Sequence, residues 1–89
     1  MRVKVLLFGV LREKLGWRER EVCFDTASAS IVEVVRSISD LGRIVLENDE
    51  VRDRFIVLLN GRNIRFIDRE KTIVRDGDTI VIFPPGGGG

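Results

Sequence analysis

Histidine is missing from this 89-residue chain altogether, and cysteine occurs once, as Cys23. Without histidine the chain lacks the usual general base and the commonest metal ligand, and one cysteine cannot complete a familiar zinc set or a Cys-His nucleophile pair. No intrachain disulfide can form, which fits a reducing, cytoplasmic compartment. Charge of neither sign is in excess: 15 Lys+Arg stand against 14 Asp+Glu, for a net charge of +1. Nothing therefore draws the chain as a whole toward nucleic acid or an anionic membrane. Long apolar runs are also missing, and none approaches the roughly 18 residues that suggest a membrane span. Glu47-Asn48-Asp49-Glu50 lacks metal-ligand spacing and reads as a solvated loop. No Lys-Ser/Thr pair follows a Gly-rich loop, so a phosphate cradle is not expected. The reading is of a chain that holds neither a metal nor a cofactor of its own.

What remains is a composition that folds. The hydrophobic fraction is 44% and the charged fraction 33%, ordinary for a globular domain and unlike a disordered chain. At this length one small core is expected. Arg2 to Phe8 alternates, with Val3, Val5 and Leu7 on one face and Leu6 and Phe8 on the other. Glu21 to Phe24 is short, branched and aromatic enough to pair back on it as a hairpin. Cys23 in that strand reads as a small buried hydrophobe. Trp17, in the connection, suits either packing over the hairpin or contact with a partner.

Ser30 stands three residues before Glu33, the spacing of a capping box, and Ile31, Val34, Val35, Ile38 and Leu41 follow with helical period. This predicts one amphipathic helix ending near Gly42. A helical turn and a loop are expected from Arg43 to Arg54. Phe55 to Leu59 is an apolar strand, Asn60-Gly61 a hairpin turn, and Ile64 to Phe66 the candidate returning strand. Asp76-Gly77-Asp78 marks a further turn before the last strand, Thr79 to Phe83, which Pro84-Pro85 brings to an end. One helix over one sheet gives an α+β, two-layer arrangement, a β-grasp (ubiquitin-like) roll with a mixed sheet of about five strands on one main helix. The domain spans 1–83, and residues 84–89 form a tail.

Gly86 to Gly89 have no side chains with which to pack and the largest backbone entropy to lose, so the tail is expected to be mobile. Pro84-Pro85 favours an extended path away from the sheet. From Phe83 it could reach roughly 20 Å, and its missing Cβ atoms suit a narrow tunnel in a neighbouring protein. The reactive group at its end is the α-carboxylate of Gly89.

Several stretches carry a resemblance: Val3 to Gly9 with Leu11-Arg12-Glu13, then Leu59-Asn60-Gly61-Arg62, Asp76 to Thr79, and Phe83-Pro84-Pro85 followed by a terminal Gly88-Gly89. In these the chain resembles the small subunit of molybdopterin synthase (MoaD) and its relatives among the ubiquitin-like sulfur carriers. Where that family's tail usually has Val and a small residue, this chain has Gly86-Gly87. The resemblance implies that an activating enzyme, using ATP and Mg²⁺, adenylates Gly89, and that sulfur then replaces AMP to give a thiocarboxylate. A larger synthase subunit would use that sulfur to build the dithiolene of molybdopterin. It also implies that Phe8, Arg12, Phe83, Pro84 and Pro85 face these partners. Similar archaeal proteins are joined through the terminal glycine to lysines of target proteins, an alternative that shares the first step.

Overall fold

The computed structural model describes residues 1–84; Pro85 and Gly86 to Gly89 lie outside the described residues. Its sheet is built outward from two central strands. β1 (Arg2–Leu7) runs parallel to the last strand, β9 (Thr79–Phe83), with Val5 opposite Ile80 and Leu7 opposite Ile82. β2 (Glu19–Cys23) pairs antiparallel with the free side of β1, with Val22 opposite Val3. β6 (Ile56–Leu59) pairs antiparallel with β9, and the two-residue β7 (Arg62–Asn63) completes the order β2-β1-β9-β6-β7. The expected five-strand mixed sheet is present.

Alternation puts Val3, Val5, Leu7, Val57, Ile80 and Ile82 on the inner face, all fully buried. They meet Ile31, Val34, Val35, Leu41 and Val45 of the helical layer. That layer departs from the single helix the periodicity predicts. α2 (Ile31–Ser37) and α3 (Ser39–Val45) are separated at Ile38, whose backbone is extended at φ −97°, ψ 90°. The Ser37 hydroxyl donates to the Val34 carbonyl at 2.6 Å, drawing an acceptor out of the helical ladder where the break begins. Ile38 still points into the core, 3% exposed, so the apolar stripe survives the break that the periodicity could not reveal.

Gly42 is correspondingly not a C-cap but an interior residue of α3. A Cβ there would lie 3.3 Å from the Val35 carbonyl oxygen and 3.4 Å from the Arg36 Cα, so the missing side chain lets α3 fold closely against α2. The start of the layer matches expectation. The Ser30 hydroxyl accepts from the Glu33 amide at 3.2 Å, while the Ser30 amide donates to the Glu33 carboxylate at 3.2 Å. The Ser30 amide first and the Ser30 hydroxyl second, both donating to that carboxylate, lower the Glu33 pKa from its ordinary 4.5, with Arg36 adding a smaller pull and burial opposing.

Two small ribbons complete the chain. β3 (Ser28–Ser30) pairs with β8 (Ile73–Arg75), and β4 (Leu46–Glu47) pairs with β5 (Glu50–Val51) around Asn48 and Asp49, both at positive φ. The acidic run is thus a hairpin tip, tied to α2 by an Arg36–Asp49 ion pair at 2.9 Å. After Asn60-Gly61 the returning strand is Arg62–Asn63, not Ile64–Phe66, which form a 3₁₀ turn. The Asn63 side chain accepts from the Arg65 amide at 2.9 Å and starts that turn. Ile64 is buried and Phe66 exposed, a separation that a strand would not allow for residues two apart.

Candidate functional site

β1 and β9 end together at the same end of the sheet because they are parallel neighbours. The Phe8 amide extends the pairing by one step, donating to the Ile82 carbonyl at 3.2 Å. Alternation then turns Phe8 and Phe83 to the face opposite the helices. Their rings stack with centroids 5.0 Å apart and planes 18° from parallel. Such a pair contributes about 0.5–1.5 kcal/mol beyond the area it buries.

Arg12 joins them from α1 (Val10–Leu15), a short helix in the connection between β1 and β2. Leu11 is fully buried and anchors the helix, which presents the next residue to the sheet end. The Arg12 guanidinium carbon lies 4.6 Å from the Phe8 ring centroid, and its Nε donates to the Leu7 carbonyl at 2.6 Å. The hydrogen bond fixes the cation over the ring. Phe8, Arg12 and Phe83 are each half-buried, so the cluster is both ordered and accessible.

The apolar surface continues from this cluster across the outer face. Register sets Leu6 beside Val81, Val81 beside Leu58, and Phe83 beside Ile56. Leu6, Leu58 and Val81 are half-buried and Ile56 is 43% exposed. Among the described residues no helix covers this side of the sheet. Together these side chains make one continuous, partly exposed apolar surface. Pro84, the last described residue, sits against Gly9 at the edge of the cluster. Pro85 and Gly86 to Gly89, where the sequence places the tail and its reacting carboxylate, lie outside the described residues.

Cys23 is placed otherwise than expected, and Trp17 takes one of the two roles open to it. Cys23 is exposed, because Val22 takes the inward position of β2 and alternation turns Cys23 outward. It stands opposite Arg2, six positions along β1 from Phe8, or about 20 Å at the usual strand rise. The thiol is therefore remote from the root of the tail. Trp17 packs against the core, donates to the Asp40 carboxylate at 3.2 Å and carries the Arg20 guanidinium 4.3 Å from its ring centroid. Packing accounts for it. No three His, Cys, Asp or Glu side chains among the described residues gather as metal ligands, and no described helix is long and apolar enough to cross a membrane.

The model of the ThiS family matches residues 5–89 of this sequence. The chain belongs to the ThiS family. Small archaeal modifier protein 3 of Haloferax volcanii is 31% identical to it, with the whole of both chains aligned. Among solved structures, the Haloferax volcanii HVO 2177 protein is 31% identical with a TM-score of 0.82, covering 100% of this chain and 87% of its own. The small archaeal modifier protein 1 of Methanosarcina acetivorans is 30% identical with a TM-score of 0.80, covering 99% and 96%. The chain is thus a ubiquitin-like protein of the group that contains small modifiers and sulfur carriers, and its fold is the β-grasp.

Proposed function

We propose that the chain carries sulfur on its C-terminus and donates it in molybdopterin assembly. The observation that supports this most is the ordered Phe8–Phe83–Arg12 cluster at the root of a tail ending Gly88-Gly89. A docking face beside a narrow, side-chain-free tail suits delivery of the Gly89 carboxylate into another protein's active site. There a carboxylate oxygen attacks the α-phosphorus of ATP, pyrophosphate leaves, and an acyl adenylate remains. Hydrosulfide then adds to the carbonyl carbon and AMP departs with the bonding electrons, leaving a thiocarboxylate. Mg²⁺ and ATP belong to the activating partner, and the synthase large subunit accepts the sulfur.

The second reading, conjugation of Gly89 to lysines of target proteins, is favoured by the full-length identity to a small archaeal modifier protein. In that case a lysine amine, not hydrosulfide, takes the acyl group.

Intact mass after incubation with the cognate activating enzyme, Mg·ATP and sulfide tests the shared step. The wild-type chain should gain the mass difference between sulfur and oxygen. Deletion of Gly88-Gly89 should leave the thermal midpoint unchanged and abolish the gain. A truncated chain that is still activated, or a wild-type chain that never is, would sink the proposal. Higher-mass adducts of the chain in cell lysates would move the assignment from carrier to modifier.

A further inference from the structure

Gly9 links β1 to α1 with φ +61° and ψ −142°, a conformation that side chains disfavour. The turn by itself calls for glycine, and space is also restricted there. A Cβ built on Gly9 would lie 2.9 Å from Pro84 Cγ and 3.4 Å from Pro84 Cδ. Gly16, Gly61 and Gly77 also have positive φ, yet a Cβ at any of them would meet nothing within 4 Å. Gly9 thus combines a reversal of the chain with a seat for the proline ring.

We infer that Gly9 and Pro84 form a seat that sets how the tail leaves the domain, making Gly9 a positioning residue for the reaction at Gly89. This rests on the proposed activation of the tail. Seventy-five residues separate the two positions in sequence, and only the parallel β1–β9 pairing brings them together. Neighbouring contacts hold both sides of the seat. Phe8, just before Gly9, stacks on Phe83, just before Pro84, and Arg12 bonds back to the Leu7 carbonyl. Pro84 is also restricted at φ by its ring, so a ring fixed in place defines the start of the path that follows. The seat fixes the point from which the tail is delivered, and misplacement of a reacting group by about 1 Å can cost as much as a hundredfold in rate.

The test is steady-state adenylation by the cognate activating enzyme, with kcat and KM resolved for wild type, Pro84→Ala, Gly9→Ala and the double variant. Pro84→Ala removes the ring without straining position 9, so it tests the seat even if Gly9→Ala fails to fold. The seat predicts an unchanged thermal midpoint for Pro84→Ala and a kcat lowered by about tenfold or more, whatever change in KM follows from losing a ring that faces the partner. Gly9→Ala, where folded, should lower kcat similarly, and the double variant should be no worse than the poorer single variant. A wild-type kcat for Pro84→Ala overturns the inference, as do multiplicative kcat losses in the double variant or defects confined to KM. Failure of the wild-type chain to be adenylated would instead overturn the proposed function on which the inference rests.

Discussion

Phe8 and Phe83 stack at 5.0 Å although 75 positions separate them, and they are the outward residues that follow the buried pair Leu7 and Ile82. The stack joins the first strand to the point where the tail begins. It also has one side open to solvent, which separates its contribution to folding from its contribution to docking.

Phe83→Ala should therefore affect binding more than folding. Loss of the stack should cost about 0.5–1.5 kcal/mol, beyond a partial loss of burial. An aromatic anchor buried at an interface commonly costs 2 kcal/mol or more on truncation, so affinity for the activating enzyme or the synthase large subunit should fall at least about thirtyfold. Calorimetric titration of the folded variant checks this. Normal binding to both partners would remove the outer face of β9 as the docking surface.

Ile38→Ala should fail in the opposite way. Ile38 is the residue at which α2 gives way to α3, and its side chain is 3% exposed against the core. Truncation leaves a cavity between two helices that cannot easily close, costing about 2–5 kcal/mol. Urea unfolding should show a lower midpoint with an unchanged slope. Under folding conditions, partner affinity per folded molecule should equal that of wild type. A smaller loss than that of Phe83→Ala would mean that the helix junction is looser than its burial implies.

Glu33 should make stability depend on acid. Its folded pKa lies below the ordinary 4.5 because the carboxylate accepts from the Ser30 amide and hydroxyl. The ionised form thus supports the folded state. That support is complete above the ordinary pKa and is lost as pH falls below 4.5 through the lowered folded value. Glu33→Gln keeps an acceptor but does not titrate, so its thermal midpoint should fall less steeply than that of wild type over this acid range. Equal slopes for the two proteins would show that the capping box does not carry this dependence.

The sequence by itself determined the features governed by neighbours a few residues apart. Ser30 and Glu33 cap a helix because one hydroxyl and one carboxylate, three residues apart, reach each other's amides. Asn60 and Gly61 turn the chain because both tolerate positive φ, as they show at 50° and 86°. Period-two alternation separated Val5 and Leu7 from Leu6 and Phe8, and packing against the helical layer turned the first pair inward. Only the tertiary structure decided the rest. The break at Ile38 preserves the apolar stripe and is invisible to periodicity. Ile64 and Phe66 have strand spacing but take a 3₁₀ turn, since Asn63 starts that turn and the core needs Ile64 alone. Cys23 has a hydrophobe's composition and lies outward, because its neighbour Val22 holds the inward position. Above all, nothing local announces that Gly9 will meet Pro84 or that Arg12 will lie over Phe8. Those contacts follow from the parallel placement of the first and last strands, a long-range pairing selected by burial of the whole inner face at once.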